Sequence, residues 1–330
     1  MQRSIVFATW AAEEFGIIGS TEWCEQHADE ISSSCVAYVN LDMAAMGTNF
    51  GAKASPLLSA AVLAAAGAVP QARAVAGEGG ALPSALDAWK ARTDDGVARV
   101  GLIDGGSDHE AFQFHLGVPS CQLGAGGSAG TSYHSNYDTI AWYRKVVGED
   151  YEPALMVTRV CVDLVRRLAD DPSPPLDPRA LAPMIREALS AIDSPSPPSP
   201  ASAGGGSPPR PAILPALEAS IASLERAASA FADAAERADK DGAPRRTMAT
   251  TVAQLERTWL SRSPGAPWRR HELIGTDPDA GYSPQALPLL RAALRSGDAA
   301  AISSAVEELR TSIDTVTHQL THATTAPDNQ

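Results

Sequence analysis

Apolar residues follow two different rhythms along this chain. Up to about residue 170, short runs of strand formers alternate with helical stretches. Residues 4–10 (SIVFATW) and 35–42 (CVAYVNLD) read as strands, and residues 15–25 between them as a helix. Residues 57–66 form an alanine- and leucine-rich helix with Gly67 as a stop. A helical turn at 111–116, a strand at 118–123 and a long amphipathic helix at 146–169 complete this part. Such alternation predicts an α/β fold with a largely parallel sheet. Beyond it the rhythm is helical. Residues 178–192 form a helix capped by Asp177. Leu214, Leu217, Ile221, Leu224 and Phe231 make one stripe, and Met248, Val252, Leu255 and Trp259 another. Ile302, Val306, Leu309, Ile313, Val316 and Leu320 make a third. Each stripe predicts a helix with one buried face, together a bundle core. The segment 194–211 (SPSPPSPASAGGGSPPRP) lacks backbone donors and apolar side chains and reads as a linker. Residues from Thr321 onward are polar, and fraying is expected there. The expected division is therefore 1–170 and 171–330.

Composition narrows the function classes. Of 330 residues, 26 are lysine or arginine and 39 aspartate or glutamate, a net charge of −13 that argues against a nucleic-acid binder. No apolar run approaches the roughly 20 residues of a membrane-spanning helix, and no secretory signal opens the chain. Cys24, Cys35, Cys121 and Cys161 form no C-x-x-C pair, which disfavours a cysteine-bound structural zinc. Neither the G-x-G-x-x-G and P-loop glycine motifs nor H-E-x-x-H occurs.

The candidate chemistry lies at strand ends. Glu13 and Glu14 follow the first run, Asp42 closes the second, and His134 sits in the polar loop after the third. Carboxyl ends of parallel strands share an edge where ligands bind. Carboxylates with an imidazole are a natural zinc ligand set. Each also has an ordinary reading: a solvated helix start, a turn former and a surface histidine.

Residues 4–23 (SIVFATWAAEEFGIIGSTEW) resemble the segment around the catalytic glutamate pair of the glutamate carboxypeptidase II, N-acetylated-alpha-linked acidic dipeptidase and transferrin receptor family, within the zinc exopeptidase superfamily. Residues 36–42 (VAYVNLD) resemble its next metal strand, and Gly105-Gly-Ser-Asp108 and Tyr133-His134-Ser135 resemble two further active-site loops. Leu255-Glu-Arg-Thr-Trp259 and Gly281-Tyr282 resemble points of its helical dimerisation domain.

This resemblance implies a zinc-exopeptidase-like, mostly parallel sheet with flanking helices, followed by an α-helical dimerisation domain. It also implies a two-zinc peptidase acting on short peptides through a metal-bridged hydroxide. Glu13 would be the general base, Glu14 a ligand of one zinc, and Asp42 and His134 ligands of the other. Tyr133 would donate to the oxyanion, and Gly106, Ser107 and Tyr282 would meet the substrate. A homodimer through the helical domain is implied, and relatives often carry a membrane anchor with the catalytic part outside the cell.

The chain departs from the family in two ways. The family's remaining ligands, a histidine and a bridging aspartate, precede the glutamate pair, whereas only 12 residues precede Glu13 here. The chain is thus expected to correspond to the C-terminal portion of a longer enzyme, with doubtful zinc occupancy and weak or no hydrolysis. His109 and His115 are expected to lie elsewhere in the fold. The positions of the family's glutamate-recognising lysine and arginines hold Gly281, Gln122 and Gly124, so a less acidic substrate is expected. The alternative reading is a non-catalytic, transferrin-receptor-like dimerising or binding module.

Overall fold

A computed structural model describes residues 1–73, 81–128, 130, 132–194, 212–240, 246–264, 266–279 and 281–326. Its first part is a four-stranded sheet of β1 (Tyr38–Asn40), β2 (Asn49–Ala54), β3 (Gly101–Leu102) and β4 (Ser120–Gly126). The order is β1-β4-β2-β3. β1 runs parallel to β4 with Val39 opposite Cys121, and β2 parallel to β3, while β2 and β4 are antiparallel. Helices flank the sheet: α1 (Ile18–Gln26), α2 (Ala28–Ser34), α3 (Ser59–Ala68), α4 (Ala85–Lys90), α5 (Ile140–Val146) and α6 (Glu152–Asp170).

The alanine-rich face of α3 packs closely on α6, whose Met156, Val157, Val160 and Leu164 are buried. Burying such side chains stabilises the fold by about 1.5–3 kcal/mol each. The helix expected over 146–169 starts only at Glu152, as α6, because Val146 already ends α5. Gly148 at φ 126° and Tyr151 at φ 55° are incompatible with continuous right-handed helix.

Residues 4–10 are not a strand. They make no ladder hydrogen bonds among the described residues, and Val6 and Phe7 are 79% and 92% exposed. Strand propensity alone did not suffice, because a strand exists only against a partner. Residues 111–116 form a single π-helical turn, Ala111–His115, rather than an α-helix.

The helical part comprises α7 (Leu181–Asp193), α8 (Ile213–Lys240), α9 (Arg246–Gln254), a hairpin of β5 (Ile274–Thr276) and β6 (Pro284–Ala286), α10 (Pro288–Ser296) and α11 (Ala299–Thr325). α8 packs lengthwise on α11 and α7. Leu217, Ile221, Leu224 and Phe231 are buried on α8, and Leu309, Ile313, Val316 and Leu320 on α11, as the stripes predict. The stripe ending at Trp259 leaves α-geometry for a 3-10 turn after Gln254. α11 does not fray at Thr321: it runs on to Thr325, held by burial of Ala323. Apart from Ser194, the linker expected over 194–211 lies outside the described residues. On either side of it, the Asp193 carboxylate accepts from the backbone N–H groups of Ile213 and Leu214 at 3.0 and 2.7 Å, capping α8.

One apolar core runs from Phe50 in the sheet to Ala323 in α11. Within it lies a buried carboxylate, Glu256. Its Oε1 accepts from Ser55 Oγ (2.9 Å), Gln113 Nε2 (2.6 Å) and His271 Nε2 (3.2 Å). His271 Nδ1 accepts from the N–H groups of Leu273 and Ile274, which leaves Nε2 as the donor. Leaving such a carboxylate's donors unpaired costs about 1–3 kcal/mol for each buried group.

A second buried carboxylate, Glu272, is poorly compensated. Ser312 Oγ donates to its Oε1 at 3.0 Å, and Oε2 finds no partner among the described residues. Burial, with Glu308 nearby, pushes its carboxyl up to about 8. The folded state therefore holds a proton that the unfolded chain releases near pH 4.5. Stability is lost progressively as pH rises from there to about 8. Glu272→Gln should raise the melting temperature, with a gain near zero at pH 4 that grows up to about pH 8. Calorimetry across this range checks it; a pH-independent gain would contradict it.

Candidate active site

The glutamate pair sits on a tight 3-10 turn, Glu13–Phe15, between Ala12 at φ 58° and Gly16 at φ 101°. Ile17, at φ 60°, then turns the chain into α1. Left-handed geometry costs a non-glycine residue roughly 1–2 kcal/mol, most for a β-branched one. Backbone bonds hold the turn in place: the Glu13 carbonyl accepts from Gly16 and Ile17, and the Ala12 carbonyl from Phe15 and Ile18. At Gly19 the helix approaches Ala11 so closely that a Cβ would collide with the Ala11 carbonyl.

Asp42 and the loop carrying His134 follow the parallel strands β1 and β4, so both leave the sheet at the same edge. His134 Nε2 lies 3.1 Å from Glu14 Oε1 and 3.0 Å from Oε2, although 120 residues separate the two side chains in sequence. His134 is itself left-handed at φ 56°, and its ring stacks on Tyr133 with centroids 3.7 Å apart.

Glu13 lies within the field of this group. Its carboxyl is pushed above the usual range, first by desolvation, then by the negative charges of Asp42, Asp108 and Glu14, with His134 opposing. The Tyr133 phenol is also shifted up, by desolvation and then by Glu14, Asp42, Tyr282 and Glu13, so it keeps its proton. Glu13, Glu14, Asp42, His134 and Tyr133 thus lie close enough together to act on one another's charge.

Asp108, which the reading of single residues did not select, is part of the same group. Ser20 Oγ donates to its Oδ1 at 2.6 Å, and its carboxyl is raised by burial and by Asp42. The Gly105-Gly-Ser-Asp108 motif was the available signal. Ser107 is buried, and its hydroxyl accepts from Asn40 Nδ2 at 2.8 Å. Asn40 Oδ1 accepts from Tyr38 Oη (3.1 Å), which accepts from Trp10 Nε1 (3.0 Å). This relay ties the segment before the glutamate pair to β1 and to the loop after β3. The position of Asn40, two residues before Asp42, was its only trace in sequence.

Tyr282, carried between β5 and β6, reaches over the same loop. Its carbonyl accepts from Gly105 N at 3.2 Å, and a Cβ on Gly106 (φ 86°) would collide with its ring. His109 and His115 serve the scaffold instead. His109 is buried with Nε2 on the Asp104 carbonyl, and His115 stacks on Trp268 while its Nδ1 meets the Trp268 carbonyl. Gln122 Nε2 reaches the Asp42 carbonyl only at 3.5 Å.

The molecule is thus a mixed α/β sheet that carries a cluster of carboxylates with a histidine, joined to a helical region. Residues 1–146 match the model of peptidase family M28, and residues 213–321 the transferrin receptor-like dimerisation domain. The chain is 35% identical over 170 residues to the probable glutamate carboxypeptidase LAMP1 of Arabidopsis thaliana, covering 52% of this chain and 24% of that protein. It is 28% identical over 308 residues to a probable glutamate carboxypeptidase of Arthroderma benhamiae, covering 90% and 40%. It is also 28% identical over 190 residues to the aminopeptidase NAALADL1 of Mus musculus, covering 53% and 25%. The chain belongs to the glutamate carboxypeptidase and transferrin receptor family. It spans less than half the length of these relatives.

M28 peptidases are generally zinc-dependent. Zinc needs several oxygen or nitrogen donors about 2.0–2.2 Å from one point. Among the described residues, no three His, Cys, Asp or Glu side chains form such a group. Glu14 and His134 instead satisfy each other directly. The described donors do not by themselves fit a zinc centre.

If charge on Asp108 holds the Glu13 carboxyl up, Asp108→Asn should move the Glu13 titration down toward the ordinary glutamate range. His134→Ala should move it up. Carbon-detected NMR titration of the Glu13 carboxyl checks both directions.

Proposed function

We propose that this chain carries the glutamate-pair face of a metallopeptidase cleft that hydrolyses short peptides at a chain terminus. The observation that carries this reading is the approach of His134 to Glu14 across 120 residues of sequence, inside the field that also contains Glu13 and Asp42. Glu13 is the general base, and its raised proton affinity brings it closer to neutral pH, where a base takes and returns a proton most effectively. Tyr133 retains its proton and donates to the oxyanion that develops on the peptide carbonyl. The Gly106 carbonyl and the Tyr282 ring border the substrate, and Ser107 acts behind them through Asn40. Gly281, Gln122 and Gly124 bring no cation to the substrate, so a peptide without a C-terminal glutamate is preferred.

Glu14, Asp42 and His134 have the chemistry of zinc ligands and offer a partial donor set. Binding of zinc by this chain is therefore weak, and so is its hydrolysis. Residues 1–170 constitute the peptidase-like domain and 171–330 the helical domain, through which two copies associate. The incomplete donor set also favours a second reading, a dimer-forming module without catalysis, as in the transferrin receptor.

Zinc analysis, sedimentation and a panel of dipeptides separate the two. A dimer with less than one tightly held zinc per chain and slow hydrolysis is expected. Glu13→Gln should reduce that hydrolysis by at least about 100-fold without changing the circular dichroism. Undiminished turnover in this variant would remove Glu13 from its role. Two tight zincs with rapid turnover would refute the partial site, and a dimer without any turnover would favour the second reading.

A further inference from the structure

The loop bordering the cleft is held from behind by a charged pair that neither the sequence motifs nor the proposed chemistry uses. Glu110 is buried, four residues after Gly106, and its Oε1 accepts from the Gly106 N–H at 2.6 Å. Its other oxygen, Oε2, accepts from Arg269, whose Nε lies 2.7 Å away and whose Nη2 also pairs with it. Arg269 belongs to the helical part, 159 residues further along the chain, and its side chain is half exposed. The opposite side of the loop meets the β5–β6 hairpin. Gly105 N donates to the Tyr282 carbonyl, and a Cβ on Gly105 would strike Thr276, Gly281 and Glu110 itself. The two glycines are therefore clamped between a buried carboxylate and an aromatic hairpin, with no room for a side chain.

We infer that Glu110 and Arg269 form a positioning pair that sets the Gly105–Gly106 loop against Tyr282 and so fixes where a peptide is held. Its substrate side rests on the peptidase reading above. A carboxylate that accepts a backbone N–H and a guanidinium at once is fixed in direction by both. Loss of either partner frees Gly106, whose φ of 86° lies in a region where glycine has alternatives on both sides. Because Arg269 comes from the helical part, the pair makes the width of the cleft depend on how that part is seated on the sheet.

Two readouts on the full chain test this: amide hydrogen exchange resolved at Gly105 and Gly106, and the kinetics of peptide hydrolysis. Glu110→Ala should speed exchange at both amides by about tenfold or more, while α8 and α11 change by less than about twofold. Glu110→Gln keeps an acceptor oxygen and should recover most of the protection. Arg269→Met, at a half-exposed position, should fold in any case and give an intermediate effect. In hydrolysis, Glu110→Ala and Arg269→Met should raise KM by about fivefold or more and change kcat by less than about twofold, and Glu110→Gln should raise KM less than Glu110→Ala does. Unchanged exchange at Gly105 and Gly106 in Glu110→Ala and Arg269→Met would overturn the inference, as would a uniform rise across all elements. Faster loop exchange in a chain that never hydrolyses peptides would leave the positioning pair standing and remove the peptidase reading. Normal exchange with lost hydrolysis would do the reverse.

Discussion

A carboxylate sealed from water has to collect its hydrogen-bond donors from the surrounding chain, and Glu256 collects them from three distant segments. Ser55 closes β2, Gln113 lies in the π-helical turn before β4, and His271 precedes β5. Gln113 also accepts from the Ser120 N–H, where β4 begins. The central strands and the helical part are therefore fixed to a common point. The apolar core could tolerate a small slide between the two, because dispersion and burial have little directional preference. The donors on Glu256 cannot, because hydrogen bonds weaken steeply with angle and length. Tyr282 inherits this rigidity, because it is carried on the hairpin that begins three residues after His271.

The helices were largely readable in the chain, for a simple reason. In α8 and α11 one face is apolar over many turns, and that periodicity survives whatever the helix packs against. Strands were read less well. Residues 4–10 have the composition of a strand but no neighbour to pair with, whereas β2 (NFGAKA) has little apolar character and is a strand because β4 and β3 flank it. Pairing is a property of two segments and leaves a faint mark in either one.

The same distinction holds at the cleft. Strand reading already grouped Glu13, Glu14, Asp42 and His134 as candidates, although residues 4–10 are not a strand, and the resemblance of whole motifs gave each of them a role. What neither revealed is the support: Asp108 beside the carboxylates, Asn40 linking β1 to Ser107, and the left-handed backbone at Ala12 and Ile17. An isoleucine in that conformation carries no sequence signature, since its side chain argues against it. Its strain is compensated by neighbours distant in sequence, as is common where a backbone must present a reactive side chain.

The bare stretch before the glutamate pair has a practical side. Val6 and Phe7 present exposed apolar surface on a stretch without ladder bonds among the described residues, and β1 is one of the two edge strands of the sheet. Such an edge invites another extended chain to lie along it, including that of an identical molecule. Association along the sheet edge would be open-ended, unlike the saturable pairing of helical faces proposed above. Concentration and salt will shift their balance differently, so the size of the particle in solution speaks for the helical contact only once the sheet edge has been blunted.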